Sequence, residues 1–365
     1  MKSKSSYNDL SIGNKKSNAE KVAIAKKEAE DIKTSIKKIL RSKTNGYFDS
    51  IIDSSNNSNA YKISLKPRRI LKGHFGKIYA CQWASDNVHI LSASQDGKLI
   101  YWNGITQNKV SSIPLRNSWV MCCSLEQSDN RLSACGGLDN ICSVYDLEAG
   151  SSKPTRELVG HTGYISSCSF VQKTKVLTSS GDSTCVLWDL TRSVPIQRFG
   201  GHTADIMCAA VTTSDSKNIF ATASCDCSVM LWDIRTNKSI HSFVGYFTND
   251  VNSVTFFPDS NAIGAGSEDC SSRIFDMRCW NQISCMSSPD ILSAVQCTSF
   301  SRSGRLFITG YDDSSLRLWD VLSTKQTPIH KISNAHESRV TCMSLNKEGT
   351  VLSTGSWDMT LKCWA

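Results

Sequence analysis

The sequence predicts an all-β fold: a closed ring of seven four-stranded blades, a β-propeller, preceded by an N-terminal α-helical coiled-coil arm. Three observations predict it. An Asp falls six residues before an aromatic seven times, and successive aromatics lie 43, 43, 44, 43, 44 and 45 residues apart. Within each unit, short apolar/polar alternations are separated by turn pairs such as Asp96-Gly97, the pattern of antiparallel strands joined by tight turns. Ahead of the repeats, apolar residues recur at 3-4-3-4-3 spacing, the period of a helix with one apolar seam.

The repeat pairs are Asp96/Trp102, Asp139/Tyr145, Asp182/Trp188, Asp226/Trp232, Asp269/Phe275, Asp313/Trp319 and Asp358/Trp364. Five of the aromatics are followed by Asp. Gly-His opens units at Gly73-His74, Gly160-His161 and Gly201-His202, with Ala335-His336 as a degenerate copy. A Ser stands two residues before the Asp in five units: Ser94, Ser180, Ser224, Ser267 and Ser356. One four-stranded unit cannot bury both faces of its sheet, so neighbours must stack, and closing the array removes exposed ends. The His, Ser, Asp and Trp of a unit suit a buried hydrogen-bond network. His74, His161, His202 and His336 recur in register in separate units, so they are assigned to structure and not to catalysis.

Trp364 is the penultimate residue, so the seventh unit is one strand short. The segment from Ile63 to Leu71 is placed to supply it, which would lock the two ends of the ring together. The propeller is accordingly assigned to 63–365.

The arm is assigned to 19–45. Val22, Ala25, Ala29, Ile32, Ile36 and Ile39 form the seam, and Asn45-Gly46 is a C-terminal stop signal. Residues 21–43 would span about 34 Å at 1.5 Å per residue. Isolated helices of that length are marginal in water, so the seam calls for a partner; folding back on the propeller and pairing with a second copy are the alternatives. A linker with room for a short helix is assigned to 46–62. Residues 1–18, rich in Ser, Lys and Asn, read as a disordered basic extension.

Charge follows this division. Residues 1–72 hold 17 Lys/Arg against 7 Asp/Glu, whereas residues 73–365 hold 24 against 26. The excess of +10 is therefore confined to the arm and its flanks; a solvated tail and helix face explains it better than an anionic membrane surface or nucleic acid would, and nucleic acid is not expected as a partner. There is no run of 18 apolar residues, no signal-peptide core near Met1, Lys2 instead of Gly for myristoylation, and Cys363 sits one position late for a prenylation box. Membrane contact is expected only through a lipidated partner. The sixteen cysteines include no C-x-x-C pair, so they read as small buried hydrophobes, with neither a metal nor a cofactor. No phosphate loop and no G-x-S-x-G elbow appears, so an enzyme is not expected.

Further stretches carry a signal beyond the repeat positions, and several have no role in the repeat. They are Glu28-Ala29-Glu30 with Ile32 and Ile36, Lys77-Ile78-Tyr79-Ala80, Ser92 to Ile100 (SASQDGKLI), Asn108-Lys109-Val110, Ser118 to Cys122 (SWVMC), Ala134 to Ser143 (ACGGLDNICS) and Gly355 to Asp358. On these the chain resembles WD-repeat proteins, and within them the β subunits of heterotrimeric G proteins, over nearly all its length from about Lys27. The resemblance implies an obligate dimer with a lipidated γ subunit through the arm. It also implies that one rim of the propeller binds the GDP-bound α subunit, and that the freed surface engages effectors downstream of a receptor at the inner face of the plasma membrane. A WD-repeat scaffold of another assembly is the alternative.

Positions matching that rim are Lys77, Tyr79, Trp119, Met121, Leu138, Asn140, Thr162, Tyr164, Asp205, Met207, Cys225, Asp250, Asn252, Glu268 and Trp357. The side of the first blade that would receive the α subunit's N-terminal helix includes Phe75, Lys98, Ile100, Asn108 and Lys109. Trp, Tyr and Met are enriched in interface hot spots and adaptable contacts. The chain departs from the family at Gly245-Tyr246-Phe247, where Gly-His is expected, and at Glu268, where the family has Asp. The extension of Met1 to Asn18 is also longer than the family's usual start.

Overall fold

The computed structural model describes Lys27, Asp31, Ile32, Thr34, Ser35 and residues 65–365 apart from 151, 213–217 and 324–326. The chain divides into two units, Met1–Asn45 and Gly46–Ala365. In the first, all five described residues are helical. The Thr34 and Ser35 hydroxyls donate to the Asp31 carbonyl at 2.8 and 2.9 Å, and Ile32 is exposed. The other seam residues, the extension 1–18 and the linker 46–62 lie outside the described residues.

In the second unit the described residues form twenty-eight strands in seven four-stranded antiparallel sheets. Six sheets consist of four consecutive strands, beginning with β2 (Ile78–Trp83), and the seventh joins the two ends of the chain. The first strand of each blade packs on the first strand of the next. Because β26 (Val340–Leu345) packs on β2 in the same way, the ring closes. No helix among the described residues is long and apolar enough to cross a membrane.

The closing sheet has the order β1 (Pro67–Lys72), β28 (Thr360–Trp364), then the two strands before it. Leu71 faces Leu361 in this register, and both are buried with Ile78, Ile90 and Trp102 between the seventh and first blades. Arg68 Nε donates to the Ala365 carbonyl at 3.1 Å, and the Ala365 N–H to the Lys66 carbonyl at 3.3 Å. The strand starts four residues later than the expected Ile63. Pro67 has no N–H to give a ladder and therefore sits at a strand's first residue, while Leu65 before it tucks into the core beside Trp364.

A buried network ties four of the blades together. Trp188 Nε1–H donates to Thr178 Oγ1 at 2.8 Å, Thr178 meets His161 Nε2 at 2.8 Å, and His161 Nδ1 meets Asp182 at 2.8 Å. The donors and acceptors balance with a neutral imidazole whose Nδ1–H points at the carboxylate. His74, Ser92, Asp96 and Trp102 repeat the arrangement, as do His202, Thr222, Asp226 and Trp232, and His336, Thr354, Asp358 and Trp364.

The hydroxyl in the network is not the Ser two residues before the Asp. It lies four residues before, facing inward. The expected Ser bonds elsewhere. Ser94 Oγ donates to the Gly76 carbonyl at 2.9 Å and accepts the Asp96 N–H, pinning the loop that carries the His. The fifth blade keeps Asp269 but loses the other three members at once, with Phe247 in the His place, Ala265 in the hydroxyl place and Phe275 in the Trp place. Arg273 then stacks on Phe247 at 5.1 Å and lies 3.9 Å from Asp269. Replacing His, hydroxyl and indole together leaves none of the three stranded without its partner. Thr178→Val is accordingly expected to cost about 1–2 kcal/mol, since it strands the Trp188 N–H. Chemical denaturation measures it, and an unchanged midpoint would mean that the chain adds no stability.

The network also sets an acid limit. Burial pushes the Asp182 carboxyl up, but hydrogen bonds from the Thr184 hydroxyl, the Thr162 N–H and His161 outweigh it and hold it down at about 2. Burial lowers the His161 imidazole, and Asp182 offsets this only in part. Both folded-state values are depressed. The stability they confer is therefore complete above the unfolded values and lost as pH falls, first below about 6.5 for the His and then from about 4 towards 2 for the Asp. Stability measured across that range should fall in both windows, and Asp182→Asn should make the lower one shallower, since Asp96, Asp226 and Asp358 are held down in the same way. A slope unchanged between pH 4 and 2 in this variant would rule Asp182 out as a contributor.

Candidate protein-binding face

One backbone contact recurs in all seven blades. The N–H at the turn between the second and third strands donates to the carbonyl of the residue that precedes the first strand. The pairs, turn residue first, are Gln95–Lys77, Leu138–Trp119, Gly181–Tyr164, Cys225–Asp205, Glu268–Asp250, Asp312–Ala294 and Trp357–Arg339. These fourteen positions rim one end of the ring. The expected rim residues fall on this set or two residues from it: Asn140 after Leu138, Thr162 before Tyr164, and Tyr79, Met121, Met207 and Asn252 further along the first strand.

The backbone slot repeats but the side chains do not, so the fold does not dictate them. At the junction of the first and seventh blades, Lys77 Nζ lies 3.8 Å from the Trp357 ring and the Arg339 guanidinium 4.0 Å from it, with Tyr79 edge-on at 6.2 Å. Burial raises the Tyr79 phenol, and Arg339 opposes this. Arg339 also donates to Asp312 at 3.1 Å. The resemblance did not single out Arg339 or Asp312; the repeat register would have, once the contact of each turn with its blade's first strand was known.

Across the ring the face is acidic. Tyr164 OH donates to Asp205 at 2.9 Å and touches Met207 Sδ at 3.6 Å; burial and this carboxylate push the phenol well up. The Cys225 thiol is pushed up to about 12 by burial, by its hydrogen bond to Asp250, and by the charges of Asp205 and Glu268. Asn140 and Asn252 bind neighbouring blades together, donating to the Thr162 carbonyl at 3.2 Å and the Val295 carbonyl at 3.0 Å. Between the basic and acidic sectors lies an apolar one at the second blade. Trp119 is 42% exposed, Leu138 is exposed and Met121 is half-buried.

Trp119 has φ 67°, a left-handed conformation that costs a bulky residue roughly 1–2 kcal/mol. Its carbonyl lies so close to Gly137 that a Cβ there would sit 2.1 Å away. Gly137 is what lets this turn press against Trp119.

On the flank of the first blade, Phe75 is 76% exposed with Lys98 Nζ 5.3 Å from its ring. Lys109 Nζ donates to the Gly73 carbonyl at 2.9 Å, and Asn108 is exposed beside it. Ile100 corrects the expectation: it is fully buried with Ile78, Ile90 and Leu361 and offers a partner no surface. Its strand alternates, so Lys98 and Ile100 sit on one side while depth along the blade buries only the latter.

Among the described residues no group of three or more His, Cys, Asp or Glu is arranged to hold a metal. All sixteen cysteines are free, and Cys279 is the exposed one.

A family model described as G protein beta WD-40 repeat protein matches residues 19–365. The chain is 42% identical over 314 residues to a guanine nucleotide-binding protein subunit beta of Nicotiana tabacum, covering 81% of this chain and 83% of the relative. It is 42% identical to the corresponding protein of Solanum tuberosum, with 81% and 82% covered. It is 40% identical over 316 residues to that of Zea mays, again with 81% and 82% covered.

Proposed function

The chain belongs to the G protein beta WD-40 repeat family and has the role of a G-protein β subunit in signal transduction, and from that premise we propose how its parts divide the work. The helix of 19–45 pairs with a γ subunit, whose lipid brings the dimer to the inner face of the plasma membrane. The three-sector rim binds the GDP-bound α subunit, and after nucleotide exchange the same rim engages effectors. The first-blade flank around Phe75 and Lys98 takes the α subunit's N-terminal helix.

The observation that carries this reading is the rim itself. Seven equivalent backbone slots hold Lys, Trp, Tyr, Asp, Asp, Ala and Arg, a pattern that the repeat does not require. Basic, apolar and acidic sectors side by side favour one partner orientation, because opposed charges steer encounter and like charges penalise wrong registers. The central indole, phenols and thioethers give area that adapts to a partner.

Co-purification tests it. The tagged full chain, isolated from its own cells, should bring down two partners of different size, one prenylated and one binding guanine nucleotide. GDP should retain the nucleotide-binding partner, and a non-hydrolysable GTP analogue should release it. Retention of neither partner, or of the second regardless of nucleotide, would overturn the proposal.

A further inference from the structure

A second tryptophan shares the signature of Trp119. Trp280 has φ 59°, is 36% exposed and lies outside the blade repeat. It sits on the outer wall, in the turn between the third and fourth strands of the fifth blade, where its N–H donates to the Asp276 carbonyl at 3.0 Å. The same turn of the first blade places Gln107 at φ 64°, with its N–H on the Asn103 carbonyl; the second and third blades place Gly150 and Ser193 at φ 59° and 55°. Small or polar residues are what a left-handed turn tolerates. A Trp there costs conformational energy and still leaves 36% of its surface exposed.

Its surroundings extend the apolar surface. The Trp280 ring stacks on His241 of the fourth blade, 4.7 Å between centroids at 28°. Ile283 is exposed in the strand that follows Trp280. The stacked Trp280 and His241 rings bridge the two blades.

The strand edges here are also unlike the others. The last strand of each sheet has a free edge, and such edges are normally blunted by charge, proline or shortness. The described outer strands follow that rule at β1 (Pro67, Arg68, Arg69, Lys72), at β5 (Lys109–Pro114; Lys109 and Pro114), at β9 (Arg156–Val159; Arg156 and Glu157) and at β13 (Val194–Gly200; Pro195 and Arg198). The strand β25 (His330–Ile332) has three residues and a Lys. The strands β17 (Ser239–Phe243) and β21 (Asn281–Met286) carry no charge and no proline. They are the two that flank Trp280.

The charge presented outward beside the patch is positive. Arg278 and Arg235 are 71% and 68% exposed, while the carboxylates they pair with, Asp276 and Asp233, are recessed at 13% and 15%. Lys238 is exposed between them. Asp259, on a neighbouring loop, is the exposed carboxylate whose field reaches Arg278.

We propose that this wall is a second protein-binding site, distinct from the rim, which takes an extended segment of a partner protein. The segment adds as a strand to the free edge of β21. Its alternate apolar side chains cover Trp280 and Ile283, and acidic residues at its end beside Asn281 meet Arg235, Lys238 and Arg278. Main-chain hydrogen bonds hold such a segment and side-chain pockets select it.

The probe is the fluorescein-labelled peptide Asp-Asp-Val-Ser-Phe-Thr-Val-Asp-Asp, titrated into the full chain. Binding is expected, together with slowed hydrogen exchange of the Asn281–Met286 amides and unchanged exchange in Arg156–Val159. Trp280→Ser is expected to weaken binding at least tenfold without lowering the melting temperature, because Ser193 already fills this turn in the third blade. A peptide N-methylated at alternate amides, or one with Lys in place of Asp, should bind at least tenfold more weakly. Equal binding by either control, indifference to Trp280→Ser, or no binding up to about 1 mM would overturn the proposal. Concentration-dependent dimerisation abolished by Trp280→Ser would also overturn it and assign the wall to a second copy of the chain.

Discussion

Leu71→Asp is expected to leave the ring unable to close. Leu71 is buried in β1 between Leu361, Ile78 and Trp102, and a carboxylate there has no cation within the cluster to pair with. Burying an unpaired charge costs more than the few kcal/mol that separate a folded domain from its unfolded chain. The neighbour in sequence is the control. Ile70 lies in the same strand with its side chain exposed, and Ile70→Asp is expected to shift stability by no more than about 0.5 kcal/mol. Thermal unfolding followed by tryptophan fluorescence separates the two: the first variant should show no cooperative transition, or fail to accumulate as soluble protein, while the second melts as the parent does. Matching melting curves would show that β1 is an accessory to a ring that closes without it.

The seven blades, their order and the closing strand were legible because each rests on a period or a count. A spacing of 43 to 45 residues between in-phase aromatics leaves little choice of topology, and an aromatic one residue from the C-terminus leaves one strand to find. What the period could not resolve was which residue of a strand faces inward. The Ser two before each Asp and the hydroxyl four before it point to the same side of the same strand, so alternation alone does not say which one reaches the Trp. The difference is depth: Ser92 and Thr178 sit beneath the indole, whereas Ser94 and Ser180 sit at the loop.

Ile100 was misplaced for a related reason. Resemblance transfers a residue number, and exposure depends on how the first blade meets the seventh around Leu361. The rim was legible through resemblance and not through residue chemistry. Nothing in the composition of Lys77, Trp119 or Asp250 announces a shared end of the ring. Their equivalence appears only in the backbone contact that each makes with its own turn, and the same contact brings in Arg339 and Asp312. Trp280 lay outside both routes. It belongs neither to the repeat nor to the matching stretches, and its conformation, with two unguarded edges beside it, is what marks it.

Trp119 joins fold and function in one side chain. The resemblance places it at the centre of the α-binding rim, and the structure places it half-exposed in a left-handed conformation. A residue held at such a backbone angle gives up stability that a glycine there would return. Trp119→Gly is therefore expected to melt at the parent temperature or slightly above, and Trp119→Ala at the parent temperature, because neither opens a cavity in the core. Both should bind GDP-loaded α subunit about thirtyfold more weakly, the loss of about 2 kcal/mol that follows truncation of a central Trp. Titration of the purified βγ dimer with α, alongside melting curves, measures both quantities. A large fall in melting temperature would place the indole in the core. Unchanged affinity with an intact fold would remove Trp119 from the α interface, and the left-handed turn would then need another cause.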